Sequence, residues 1–284
     1  THTLWLELGI VVMGASVALG RIFDAGPVIL LLVIVTVVAT TLSIEFLSRT
    51  VFTIQEETGS LLAAGSGICG VSAVVAIAES IAADESRIAY AAATVLLFDA
   101  VTLFIYPLVG HALELSSTVF GIWAGLTMFS TGPVTAAGFA FSDTAGQWAL
   151  LVKLTRNSLI GFVAIAYAFY YAQKTSCRTS GEVARKDSNS DYTVQWMFLW
   201  ETFPKFVLGF LGMMVVANTG LLTSSQVTSL SHLSDWAFLV AFAGLGLEIQ
   251  LADFRTTGYK PIVVVFTGLV VVASVMLLVV QALF

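Results

Sequence analysis

An all-α, polytopic membrane fold is predicted by three observations. Of 284 residues, 58% are hydrophobic and only 11% are charged, whereas a soluble domain is about a quarter charged. Mean hydropathy is +0.94, so the chain needs lipid rather than a single water-facing core. Charge-free runs recur at the length of a membrane-spanning helix, about 20 residues. Nothing alternates residue by residue as barrel strands do. Helices also satisfy their own backbone hydrogen bonds in lipid.

The elements follow in chain order. Residues 8–20 form a short first segment, and residues 25–44 run between Asp24 and Glu45. Residues 58–78 lie between Glu57 and Glu79, and residues 88–110 are apolar except for Asp99. Residues 115–142 carry no charge, while residues 144–173 hold Lys153 and Arg156. Residues 206–234 are reached through Trp196, Trp200 and Pro204, with the short stretch 236–247 and the final run 261–284 behind them. This makes about nine transmembrane segments in one transmembrane domain, 1–284, with a polar loop at 174–195. The tryptophans sit mostly near segment ends, where interfacial anchors belong.

Orientation follows from Lys and Arg in the loops. Lys174, Arg178, Arg185 and Lys186 place loop 174–195 in the cytoplasm, and the loop with Arg255 and Lys260 falls on the same side by parity. The basic-free loop near 220–232 falls outside. The first residue is then inside and the last outside, in a multi-pass protein of the cell membrane.

Composition also excludes functions. The formal charge of −6 is spread through short loops, and no basic stripe points to nucleic acid. Cys69 lies in an apolar segment and Cys177 in the polar loop, and the two do not form a spaced set, so neither a disulfide framework nor a metal site is indicated. His2, His111 and His232 lie at edges and receive no role. No cleavable signal peptide is visible, because the first apolar segment lacks a positive start and a small-residue cleavage site. No His-Glu metal motif or Gly-x-Ser-x-Gly elbow points to an enzyme, and no cofactor is expected beyond a coupling proton or sodium ion.

Two segments carry mid-span breaks. Residues 65–70 read Gly-Ser-Gly-Ile-Cys-Gly, and each glycine costs about 1 kcal/mol in a helix. Ser130, Thr131, Gly132, Pro133 and Thr135 lie mid-way along 115–142, where proline removes a helical hydrogen bond. Broken helices leave free N–H groups and positive dipole ends that hold anions. Close packing through small residues is the other reading of the same composition. Ser66, Gly67, Cys69, Gly70, Ser130, Thr131 and Gly132 are therefore candidate substrate-binding positions.

Asp99 stands eleven residues from each end of 88–110. A charge there costs about 2.5–3.5 kcal/mol. It reads as a proton or sodium coupling group, or as a structural acid that is paired or protonated. Lys153, Arg156 and Asn157 share one helical face, and Arg suits planar oxyanions. Their partner is a substrate, or Glu79 and Asp99 in simple neutralisation. Arg156 and Asn157 join the substrate candidates; Asp99, Glu79 and Lys153 are the coupling candidates. Glu201 and Lys205, four apart, read as an interfacial pair.

A weak repeat at an offset of 232 matches Gly14, Leu19 and Gly26 with Gly246, Leu251 and Gly258. Seven helices separate the copies, so they are expected in opposite orientation, as in inverted-repeat transporters.

The stretch from Gly65 to Val74 resembles the Gly-Ser-Ser-Ile-Cys-Gly-Ala-Ala-Ala-Val signature of a YeiH-like family of membrane proteins named as sulfate exporters. Further similarity runs through Leu8-Gly-Ile-Val-Val-Met-Gly, Ala92-Ala-Thr-Val, Tyr106-Pro107, Phe120-Gly-Ile-Trp-Ala-Gly, Lys153 and Arg156, Phe203-Pro-Lys-Phe-Val-Leu-Gly-Phe and Ala243-Gly-Leu-Gly-Leu. The resemblance covers nearly the whole chain. It implies an inverted-repeat transporter related in architecture to sodium/proton antiporters and bile-acid sodium symporters, with two broken helices crossing at the substrate site. The family begins with further helices before Leu8, so the chain is expected to be short at its N-terminus. Many members have His-Glu and then Gln at the second break, where this chain has Phe129, Ser130 and Pro133. Asp99 stands where members have Gly, and Glu79 matches a family Glu. The functional expectation is a secondary carrier of a small anion, sulfate-like or organic. The alternatives are a cation/proton antiporter and a non-transporting sensor or scaffold. The lipid bilayer and the solute are the expected partners, and a homo-oligomer is open.

Overall fold

A computed structural model describes residues 5, 8–9, 11–12, 14–16, 26–183, 205–248 and 258–284. After a short 3-10 turn at Gly14–Ser16, the elements are α1 (Gly26–Phe46, continued by a π turn, Leu47–Val51), α2 (Glu56–Gly67), α3 (Val71–Ile81) and α4 (Glu85–Ala112). Then come α5 (Ser117–Thr127), α6 (Thr131–Phe141), α7 (Asp143–Asn157), α8 (Ile160–Val183), α9 (Lys205–Asn218), α10 (Ser224–Glu248) and α11 (Lys260–Leu283). There is no strand among the described residues.

Four stretches are long and apolar enough to cross a membrane: Gly26–Val51, Glu85–Ala112, Asp143–Tyr171 and Lys260–Leu283. The third joins α7 to α8 through a turn at Ser158 and Leu159. α1 and α11 lie side by side and antiparallel. The Thr36 hydroxyl meets Met276 Sδ at 3.3 Å, and Ile44 fills the space beside Gly268.

The expected pair of crossing broken helices is not what the chain builds. Each break reverses the chain. The carboxylate of Glu57, in the first turn of α2, is ion-paired with Arg87 in the first turn of α4. Only residues 82–84 separate the end of α3 from α4, so α2 and α3 start and finish on the same face. At the other end of α4 the same thing happens. Ser142, just past α6, donates to Ser117 at the start of α5 (2.8 Å), and the Phe120 and Phe141 rings stack at 4.0 Å. The His111 ring, in the last turn of α4, stacks on Phe141.

α2–α3 and α5–α6 are thus re-entrant hairpins based at opposite ends of α4. A limb of 11 or 12 residues is about 16–18 Å long. That is roughly half of a bilayer core of about 30 Å, so both tips stop at mid-depth. A charge-free run of this length has the same composition whether it crosses or doubles back, which is why the breaks were legible and the reversal was not.

Small residues let α7 lie close to both limbs of the second hairpin. A Cβ on Gly121 would stand 2.5 Å from the Ala145 carbonyl oxygen, and one on Gly125 would stand 2.8 Å from that of Ala149. α5 therefore runs parallel to α7, whereas α6 runs antiparallel, with Gly138 beside Gly146 and Thr131 beside Asn157.

Other boundaries also differ from the sequence reading. The expected span 206–234 is divided: α9 stops at Asn218, Gly220 turns with φ +79°, and α10 begins at Ser224. The first part of the expected loop 174–195 is helical, because α8 continues to Val183. Glu201, Leu19 and Leu251 lie outside the described residues, and with them the middle pair of the 232-residue repeat. Its last pair is described: Gly26 and Gly258 have φ +83° and +70°.

Candidate functional site

The two tips meet beside the middle of α4. The first is Ile68–Cys69–Gly70 and the second is Met128–Phe129–Ser130. Gly70 has φ +75°, a region that L side chains avoid, and an added Cβ would collide with the Ser130 hydroxyl. The tips meet with the Gly70 backbone against the Ser130 side chain.

A hairpin of helices brings two kinds of terminus to its tip. The incoming limb ends in carbonyls without intrahelical partners, and the outgoing limb begins with N–H groups without them. α7 supplies donors for the carbonyls of both incoming limbs. Lys153 Nζ donates to Ile68 O at 2.7 Å and Met128 O at 3.1 Å. Arg156 donates through Nε to Gly67 O at 2.8 Å. Its terminal nitrogens reach Met128 O at 2.9 Å and Ser66 O at 2.5 Å. Both side chains are fully buried. Each cation bridges the two hairpins, and cations at helix C-termini oppose the negative dipole end.

The outgoing limb of the second hairpin receives the opposite charge. Asp99, 2% exposed, accepts the Ser130 backbone N–H at 3.0 Å and the Ser130 hydroxyl on its other oxygen. Beside it, Asn157 Nδ2 donates to Thr131 Oγ1 at 3.0 Å. Asn157 Oδ1 and Ser66 Oγ are buried without a hydrogen-bond partner, an arrangement that costs about 1–3 kcal/mol per group unless something fills it. The Cβ position of Gly132, in the first turn of α6, faces open space.

The structure therefore gathers Ser66, Gly67, Gly70, Ser130, Thr131, Asn157, Asp99, Lys153 and Arg156 into one region. Cys69 is a buried free thiol inside the first tip, and Gly132 flanks the second. Glu79 is not gathered in. It lies half-buried two residues from the end of α3, on the side of the hairpin base.

Sequence reasoning missed several participants. The carbonyls of Ile68 and Met128 carry no side-chain signal. Tyr106 donates to Thr127 Oγ1 at 3.1 Å, and Thr127 donates to Trp123 O. Trp123 Nε1 in turn donates to Ala273 O at 2.9 Å, tying the second hairpin to α11. A polar network at the base of the first hairpin was also missed. Glu45 accepts from Arg49, Ser60 and Tyr167, and Glu56 accepts from Arg49, Tyr170 and Lys174. The four-residue spacing of Glu45 and Arg49 was its one visible sign. No His/Cys/Asp/Glu cluster that could hold a metal occurs among the described residues.

These features define a class: a multi-pass α-helical membrane protein with a charged centre at mid-depth between two opposed re-entrant hairpins. The chain belongs to the family described as Conserved hypothetical protein 698, whose profile matches residues 1–265. It is similar to a UPF0324 membrane protein of Nitratidesulfovibrio vulgaris, 34% identical over 256 residues, covering 90% of this chain and 69% of the relative. A UPF0324 membrane protein of Clostridium tetani is 30% identical over 271 residues, covering 95% and 78%. One of Bacillus cereus is 30% identical over 263 residues, covering 93% and 73%. No solved structure matches the chain.

Proposed function

We propose that the protein is a secondary active transporter of a small anion, sulfate-like or an organic oxyanion, bound where the hairpin tips meet. One observation carries the reading: Lys153 and Arg156 are fully buried at mid-depth beside two interrupted helices. Buried intramembrane charges mark solute and ion pathways, and interrupted helices at mid-depth are a transporter arrangement. The N–H groups at the starts of α3 and α6, with Ser66, Ser130, Thr131, Gly132 and Asn157, would surround the solute. Lys153 and Arg156 would set its charge. Asp99 would couple binding to a proton or sodium ion through its hold on Ser130.

The same contacts weigh against a cation/proton antiporter. The inward carbonyls that would ligate a metal cation already accept from Lys153 and Arg156. An inverted architecture is supported by the hairpin bases at opposite ends of α4. It is further supported by the antiparallel α1 and α11, each entered near a left-handed glycine of the repeat. Arg49, Arg87, Lys174 and Lys260 gather at one face, and Glu114 and Asp143 lie at the other. Under the positive-inside rule the Lys174 face is cytoplasmic, in a cell membrane.

The test is flux into proteoliposomes with labelled sulfate and methanesulfonate, with and without proton and sodium gradients. Saturable uptake that disappears in Asn157→Ala, with the variant still folded, is expected. Uptake equal to that of empty liposomes for every oxyanion tried would remove the reading. An ion dependence that survives Asp99→Asn would remove the coupling role.

A further inference from the structure

We propose that the solute carries a hydroxyl beside its anionic group, and that Asn157 and Thr131 together read that hydroxyl. The assignment rests on the carrier reading above. It narrows the solute from oxyanions in general to hydroxyl-bearing organic ones.

The unmatched groups at the tips carry the argument. Ser66 Oγ and Asn157 Oδ1 are buried there without a hydrogen-bond partner. Their chemistry differs. A hydroxyl turns to donate or to accept, so Ser66 is satisfied by an anionic oxygen as readily as by a donor. An amide oxygen only accepts. Sulfate, whose oxygens all accept, would set lone pairs against lone pairs at Asn157 Oδ1. Only an O–H or N–H satisfies that atom.

Asn157 is also held in place. It ends α7 one position after Arg156, which is tied to the carbonyls of Ser66, Gly67 and Met128. Its Nδ2 donates to Thr131 Oγ1 at 3.0 Å. That bond uses a lone pair of Thr131, whose own hydroxyl proton goes to no described residue. The pair thus presents an acceptor, Asn157 Oδ1, next to a donor, the Thr131 hydroxyl. A solute hydroxyl complements both, because one atom donates and accepts; an ammonium only donates and leaves the Thr131 proton unmatched. There is room beside the pair, since a Cβ added to Gly132 meets nothing within 4 Å. α6 begins at Thr131, and the carrier reading gives the N–H groups of its first turn to the anionic head. Head and hydroxyl are therefore bound a few atoms apart.

Sulfonates of equal charge test this in proteoliposomes. Hydroxyethanesulfonate is compared with propanesulfonate, which puts a methyl where the hydroxyl was. Methoxyethanesulfonate, which accepts but cannot donate, is compared with butanesulfonate. Saturable uptake of labelled hydroxyethanesulfonate is expected. The unlabelled compound should block it at a concentration about ten-fold or more below that of propanesulfonate, the discrimination that a buried unmatched acceptor supplies. The ether should gain far less over its alkane. Thr131→Val should narrow the preference for the hydroxyl. In Asn157→Ala, where uptake is expected to fail, binding is read as the rise in thermal midpoint with added anion, and the hydroxyl compound should lose its advantage over propanesulfonate. Both variants are checked for a monodisperse elution profile. Equal blocking of wild-type protein by hydroxyethanesulfonate and propanesulfonate, or an ether gain that matches the hydroxyl gain, would overturn the inference and leave the carrier intact. So would uptake of labelled methanesulfonate without uptake of the hydroxyl compound, or a hydroxyl preference unchanged in whichever variants fold. Wild-type protein that moves none of these sulfonates, nor sulfate, would instead remove the oxyanion carrier reading, and this inference with it.

Discussion

The two hairpins use the same geometry and share one pair of cations, and only the second has an acid on its amide end as well. Almost every residue of α2 is buried, from Thr58 to Gly67, whereas α6 buries only Val134, Ala137 and Gly138. The first tip is gripped at its carbonyl end, by Lys153 and Arg156. The second is also held at its amide end, by Asp99 on Ser130. A helix C-terminus takes a cation and an N-terminus takes an anion because the macrodipole asks for each. Both limbs of the first hairpin therefore lie inside the packed core, whereas the second buries α5 and leaves one side of α6 exposed.

Substitutions can break or sharpen that contrast. The largest effect is expected for Arg156→Ala, which strands the carbonyls of Ser66 and Gly67, leaves that of Met128 to Lys153 alone and loosens both tips. Removing one partner from a buried charged network costs about 3–5 kcal/mol. The thermal midpoint in detergent should fall steeply, and Arg156→Lys should restore only part of it. A full-height midpoint for Arg156→Ala would show that the carbonyls find other donors.

Gly70→Ala comes next, because it adds strain at positive φ and a collision with Ser130. Strained backbone alone costs about 1–3 kcal/mol. Because α6 is the least buried limb, it should yield first. Protease or hydrogen-exchange protection should then drop in α6 before it drops in α2.

Ser130→Ala should be milder, since Asp99 keeps the backbone N–H. One hydrogen bond to a charged group is worth about 1.5–3 kcal/mol, and the loss should again appear in hydrogen exchange at the second tip and not at the first. Thr131→Ala, which removes the partner of Asn157 Nδ2, should cost least, about 0.5–1.5 kcal/mol. Equal protection losses in both hairpins for these two variants would erase the distinction drawn between them.

Much of the site was legible before the fold was known. Glycine, proline and ionisable residues in an apolar chain are costly, so Gly65 to Gly70, Ser130 to Pro133, Asp99, Lys153 and Arg156 stood out. Glu79 stood out for the same reason, yet it lies away from the tips, because an acid near a helix end can serve the hairpin base instead. The partners of Arg156 were not legible. An anion was expected, and the structure gives it carbonyl oxygens, which belong to every residue and mark none.

The sequence by itself determined that the chain is helical, that it lives in lipid, and where its backbone is interrupted. Those properties follow from local composition, since burial of apolar side chains and the price of a broken helical hydrogen bond are set residue by residue. Only the tertiary structure decided that the interrupted segments turn back instead of crossing, and that α7 binds both tips. Direction of travel depends on which faces meet, and the contacts that choose it join residues far apart in the chain, such as Glu57 with Arg87, Ser117 with Ser142 and Ser66 with Arg156.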